Sequence, residues 1–228
     1  MAVNQYITIR PPKAPNLPNA PAAGYSYVYF DQYSNVLRLY FNQIDNFAAA
    51  IGGNSGGANV QFPFISASDS TDQLATASNT PTVVTWNTLE GGNGFTLNAP
   101  GSATALVSGV YKITYSLQLA NTDNAQHDAA VWLKVNNADV PRSTTIFTVP
   151  ARKSAGVFSY ICAYSEVVFS LETGDVMELY WATNQAYDTS PATNGIYLEH
   201  LPVQTVPYAR PATPSALGSI TFVSRLPS

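Results

Sequence analysis

From Val110 to Leu119 apolar and polar positions alternate without a break. Tyr111, Ile113, Tyr115, Leu117 and Leu119 interleave with Lys112, Thr114, Ser116 and Gln118. Period-two alternation places successive side chains on opposite faces and predicts a strand with one face buried and one wet. The same reading recurs downstream. Val131, Leu133 and Val135 lead into an Asn136-Asn137 turn, and Val167, Phe169 and Leu171 lead into Gly174-Asp175. Met177, Leu179 and Trp181 follow on the next strand, and Ile196, Leu198, Ile220 and Phe222 supply the closing ones. Short strands with turn signals every 8–12 residues or so predict an antiparallel sandwich or jelly roll. No helical pattern separates them, which excludes a parallel α/β sheet. This mainly β region is expected to span 60–228.

A different period governs residues 25–51. Phe30, Tyr33, Leu37, Tyr40, Ile44 and Phe47 recur at intervals of three and four, the spacing of a coiled-coil seam on an amphipathic helix. The seam could pack on the sheet of its own chain or against copies of itself. Val36, Leu39 and Phe41 add apolar surface outside the stripe and favour self-association. Two and a half heptads are too short to hold an oligomer alone, so a second contact is required. A Gly-rich segment, 52–59, is expected to stop the helix and act as a hinge. Residues 1–24 carry Pro11, Pro12, Pro15, Pro18 and Pro21, which bar a helix or sheet of their own. Such a segment is either a flexible tail or an extended arm. Tyr6, Ile7, Ile9 and Leu17 favour an arm that orders against a partner.

Composition narrows the partners. The chain of 228 residues is 46% hydrophobic and 12% aromatic, enough for a packed core. Only 11% is charged, and no Lys or Arg lies between Arg38 and Lys112, which argues against a nucleic-acid groove. The net charge of −4 favours solubility and names no partner. The single cysteine, Cys162, excludes an intrachain disulfide. Standing in the run Phe158, Tyr160, Cys162, Tyr164, it is expected to be a buried structural thiol. The opening Met1-Ala2-Val3-Asn4-Gln5 lacks the regions of a secretory signal, and no apolar run matches a membrane span. Synthesis in a cytosol and exit by another route, such as inside a particle, are expected.

Catalytic chemistry finds little to work with. His127 lies in the polar loop Thr122–Asp128, and His200 follows Glu199. No metal, phosphate or nucleophile motif accompanies either, so no enzyme activity and no cofactor are expected. Asp69 with Asp72, and Asp123 with Asp128, could offer oxygens to Ca²⁺, but loop aspartates more often close Asx turns. Trp86, Trp132, Trp181, Tyr187 and Tyr197 offer flat faces to a sugar. Trp181 shares the register of Met177 and Leu179, and Trp86 sits among Val83, Val84 and Leu89, so both are expected in the core. Trp132 points the other way from Val131, Leu133 and Val135, to a ligand or a subunit contact.

Two resemblances follow. Gly109-Val110-Tyr111-Lys112-Ile113-Thr114-Tyr115-Ser116, Leu171-Glu172-Thr173-Gly174-Asp175-Val176-Met177-Glu178-Leu179 and the closing Ser219–Leu226 resemble strands of the C1q/tumour-necrosis-factor-like jelly rolls. That resemblance implies a compact homotrimer packed edge to face. No collagen repeat precedes the domain, so no immune role is carried over. Gln5–Pro12, Ala14–Pro18 and Phe30–Asn42 resemble the opening of small structural proteins of marine tailed bacteriophages. This second resemblance implies a virion component, made in the host cytoplasm and docked on capsid or tail proteins as a decoration or fibre-type module. A displayed module that binds a host-surface receptor or glycan is the alternative.

Overall fold

The computed structural model describes residues 12–19, 24, 26–52, 62–98, 100–189 and 192–226. By its internal contacts the chain divides into two units, residues 1–61 and 62–228.

In the first unit, residues 12–19 form neither helix nor strand, and Leu17 is exposed. Tyr6, Ile7 and Ile9 lie outside the described residues, as do positions 53–59 of the Gly-rich segment. Helix α1 runs Tyr27–Gly52. Ser26 starts it: its hydroxyl accepts the Tyr29 N–H at 3.3 Å and its carbonyl accepts the Phe30 N–H at 3.1 Å. A capping serine satisfies donors that the first turn leaves open. Tyr33, Leu37, Tyr40, Ile44 and Phe47 of the expected seam are half-buried, while Phe30 is exposed. Tyr29 is half-buried beside it, with its ring stacked on that of Tyr33 at 6.0 Å. No described side chain of α1 is fully buried.

The described residues of the second unit form fifteen strands. In chain order they are β1 (Phe64–Asp69), β2 (Thr82–Val83), β3 (Thr88–Asn93), β4 (Phe95–Asn98), β5 (Ser102–Ala105), β6 (Gly109–Asn121), β7 (His127–Val135) and β8 (Ala138–Asp139). Then come β9 (Thr145–Val149), β10 (Ser159–Leu171), β11 (Val176–Thr183), β12 (Asp188–Thr189), β13 (Ala192–Thr193), β14 (Ile196–Leu198) and β15 (Ala216–Ser224). The front sheet is ordered β10-β6-β15-β1-β3, with β14 also on β6. The back sheet is ordered β4-β5-β11-β7-β8, with β2 on β11 and β9 on β7. All of these pairs are antiparallel. The chain crosses between sheets from β3 to β4, β5 to β6, β6 to β7, β9 to β10, β10 to β11 and, by way of β12 and β13, from β11 to β14. The result is an antiparallel jelly-roll sandwich.

The inward residues of both sheets form one core. Tyr111, Ile113, Tyr115, Leu117 and Leu119 from β6 meet Val131 and Leu133 from β7 and Met177, Leu179 and Trp181 from β11, all buried. Each such side chain removed from water contributes about 1.5–3 kcal/mol before the entropy of ordering it is counted. Two glycines permit the packing. A Cβ on Gly109 would stand 2.5 Å from the Phe222 ring, and one on Gly218 would stand 2.7 Å from the Trp86 ring. Asn136 and Asn137 both take positive φ and turn β7 into β8, as an asparagine pair can. Asn136 then bridges to the neighbouring turn, donating to Asp175 at 2.7 Å and accepting the Val176 N–H at 2.9 Å.

Cys162 departs from expectation: it is exposed. The run Tyr160, Cys162, Tyr164 faces outward on β10, and Ser159, Ala163, Phe169 and Leu171 face the core. Both sides of β10 carry apolar residues, so alternation alone does not reveal which side is buried. Register decides it, because Cys162 pairs with the outward Gln118 and Ala163 with the buried Leu117.

Candidate functional site

The outer face of the back sheet gathers the most distinctive side chains. Tyr180 of β11 stands opposite Trp132 of β7, and the next pair along is Glu178 opposite Lys134. Directly opposed residues on one face of a sheet touch. The Trp132 and Tyr180 rings lie 6.0 Å apart with their planes inclined by 32°. The indole N–H of Trp132 donates to Asp139 Oδ1 at 2.8 Å. Lys134 Nζ lies 3.6 Å from the same oxygen and 4.5 Å from the centre of the Tyr180 ring. One carboxylate therefore fixes both the indole and the ammonium, and the ammonium rests on the second ring. Beyond the rings, Ala182 opposes Ala130, and Ala130 opposes Ile146 on β9. Ile146 is 67% exposed. Asp128 and Asn184 close this end: Asn184 Oδ1 accepts the Asp128 N–H, and Asp128 accepts the Thr148 hydroxyl at 2.6 Å.

The outer face of the front sheet is simpler. Tyr164 of β10 and Leu217 of β15 flank Ser116; beyond the polar row Glu166, Thr114 and Ser219, Val168 and Thr221 flank Lys112, with Phe64 opposite Thr221. Tyr164, Val168, Leu217 and Phe64 are all exposed, between 41% and 59%. Lys112 and Glu166 pair at 3.5 Å, and the Glu90 carboxylate accepts the Ser68 hydroxyl at 2.6 Å beside Leu217, so the apolar side chains of this face are interspersed with one ion pair and one further carboxylate. Ser66, Thr114, Ser116, Tyr164, Leu217 and Ser219 line a shallow groove along it.

At one end of that face a buried carboxylate collects phenols. Tyr197 donates to Glu199 Oε1 at 2.7 Å, and its ring lies 4.8 Å from that of Tyr187. Burial, followed by the Glu199 carboxylate, pushes the Tyr160 phenol up to about 12 and raises that of Tyr197 further. Glu199 Oε2 and His200 Nδ1 are buried without a partner among the described residues. The His200 backbone N–H donates to Asp72.

The remaining candidates have structural roles. Asp69 is 1% exposed, and both its oxygens are engaged. Oδ1 accepts from the Thr71 N–H, the Thr71 hydroxyl and Asn87, and Oδ2 accepts from Thr85. That is an Asx turn pinned to a neighbouring loop. His127 Nε2 lies 2.7 Å from Asp123 Oδ2, and this hydrogen bond holds the Asp123 carboxyl below its ordinary range. No hydroxyl or thiol among the described residues bonds to the His127 ring, so a base and its orienter stand there without a nucleophile. Among the described residues no three His, Cys, Asp or Glu side chains converge as a metal site. No described helix is long and apolar enough to cross a membrane.

Trp132 thus lies on the outer face, and Trp181 is buried, as the alternation predicts; Trp86 packs against the core. Tyr180, Lys134 and Asp139 were not singled out in the sequence. Lys134 and Asp139 meet Trp132 through the Asn136-Asn137 hairpin, which alternation on both sides of the turn could have revealed. Tyr180 arrives through long-range register, for which the sequence holds no local signal.

No family model and no curated protein matches this chain. Among solved structures it is similar to the Eiger TNF of S. frugiperda, at 14% identity over 74% of this chain and 97% of that one, with a TM-score of 0.47. It is also similar to the globular domain of the zebrafish complement 1qA protein, at 14% identity over 72% of this chain and 99% of that one, with a TM-score of 0.41.

Proposed function

We propose that this protein is a homotrimeric structural module of a virion, docked on capsid or tail proteins by its N-terminal arm and displaying the jelly roll. The observation that carries self-association is the outer face of the front sheet, where Phe64, Tyr164, Val168 and Leu217 stand exposed around the Lys112–Glu166 pair. Aromatic and aliphatic side chains with few net charges are the composition of an interface core. The half-buried stripe of α1 supports the same reading from a separate unit, since a helix with no fully buried side chain gains most from a second copy. The threefold symmetry and the virion setting draw on the resemblances of the sandwich and of the N-terminal opening. Three arms on one trimer bind with avidity, so weak individual docking suffices.

Paired Tyr164→Glu and Leu217→Glu substitutions test the interface. They place charges on solvent-facing positions of a folded monomer, so circular dichroism stays unchanged while the oligomer dissociates. An undisturbed oligomer contradicts this face as the contact. Removal of residues 1–24 is expected to leave a soluble oligomer that no longer joins particles; normal incorporation overturns the docking role.

A further inference from the structure

The outer face of the back sheet differs in kind from the front face, and nothing in the assembly reading uses it. It carries a locked pair of rings, a floor of small residues and polar groups at both ends. Four outward rows follow one another along β7 and β11: Lys134 with Glu178, Trp132 with Tyr180, Ala130 with Ala182, and Asp128 beside Asn184. From Lys134 to Asp128 these rows span about 20 Å at the rise of an extended strand.

We propose that this stripe is a binding site for a neutral oligosaccharide of hexopyranose units. The Trp132 indole, braced by the Tyr180 ring that Lys134 covers, offers a flat apolar wall to the C–H face of a sugar. The Ala130 and Ala182 methyl groups form a low step beside it, on which a second ring can rest, with Ile146 as the far edge. Hydroxyl groups find partners at the two ends. Asp139 is exposed and, among the described residues, uses only Oδ1, and Asp128 likewise uses only Oδ1 as a side-chain acceptor. The amide nitrogen of Asn184 donates to nothing among the described residues, because its oxygen is the atom that holds Asp128.

Three observations favour a sugar over a protein surface here. The wall is already rigid: the indole N–H is held by Asp139 and the Tyr180 ring by Lys134, so little side-chain freedom is lost on binding. The Lys134 charge is balanced by Asp139, so the wall carries no excess cation to attract a uronate or sialate. The apolar part is narrow and flanked by acceptors and an amide, the few placed polar groups among flat surfaces that a small-ligand site uses. The broader field of exposed apolar side chains belongs to the other sheet. The inference stands on the sandwich alone and goes beyond the assembly reading.

The test uses the intact protein on an array of soluble gluco-, galacto- and manno-oligosaccharides, with uronic-acid oligomers alongside, and light scattering on every variant. Neutral oligomers should bind and change the tryptophan fluorescence, and Trp132→Phe, which leaves only Trp86 and Trp181, should abolish that change. Trp132→Ala should weaken binding by roughly tenfold or more with the oligomer unchanged. Trp132→Phe should weaken it less, and Ala130→Gln should block it by filling the step. Absence of binding to every neutral oligomer, binding to uronates alone, or affinity unchanged in both Trp132→Ala and Ala130→Gln overturns the site. Any of these results with the oligomer intact rejects the sugar site and leaves the assembly reading standing. A monomeric wild type that still binds sugar does the reverse.

Discussion

Helix α1 and the sandwich solve the problem of apolar surface in opposite ways. The sandwich faces its sheets together and places Trp181, Tyr111, Ile113, Leu117 and Leu179 at no more than 1% exposure. The helix carries a stripe just as regular, yet Tyr33, Leu37, Tyr40, Ile44 and Phe47 reach only half-burial, and Leu39 and Phe41 stand open to solvent. A sheet whose period matches its burial is self-sufficient. An isolated helix of 26 residues draws little stability from propensity alone and needs a partner along its stripe.

Substitutions should separate the two. Trp181→Ala empties a fully buried site and is expected to cost about 3–5 kcal/mol in denaturant unfolding of the sandwich. Leu37→Ala in the stripe should leave that transition in place and shift only the concentration dependence of association. Equal effects of the two on the sandwich transition would erase the distinction.

Next in size is Asp69→Ala, which leaves the Thr71 N–H, the Thr85 hydroxyl and the Asn87 amide without the buried carboxylate that accepts them at a part-buried turn. A loss of about 1–3 kcal/mol is expected by the same unfolding measurement, because unsatisfied buried donors retain their desolvation penalty. An unchanged midpoint would mean that the turn is held by its neighbours.

The smallest effects are those of pH. Asp123 has a folded pKa below its ordinary value, so its contribution is complete above that ordinary value and is lost as pH falls through the folded one. His127→Ala removes the hydrogen bond and should flatten the acid limb of the stability profile. Tyr160 is raised to about 12, so its contribution holds below the ordinary phenol value and is lost as pH rises through the folded one. Phenolate absorbance should rise later in the wild type than in Tyr160→Phe plus free tyrosine.

Alternation made the sandwich legible wherever one side of a strand was polar. On β6 Lys112, Thr114, Ser116 and Gln118 mark the wet face without ambiguity, and the buried set follows. On β10 Tyr160, Cys162 and Tyr164 look as core-like as Ile161 and Ala163, and only pairing with β6 separates them. The same limit governs the site. Trp132 is legible as outward because Val131 and Leu133 point inward, whereas Tyr180 reaches it from 48 positions along the chain through strand register. Surface sites on sheets are assembled across strands, and cross-strand neighbours leave no local trace in a sequence.

Self-association is tested most directly by the mass of the intact protein in solution, measured by light scattering. Three subunits of 24.4 kDa in one particle are expected, with Tyr164→Glu/Leu217→Glu reverting to one. A wild-type mass of a single 24.4 kDa subunit at all concentrations would contradict the account.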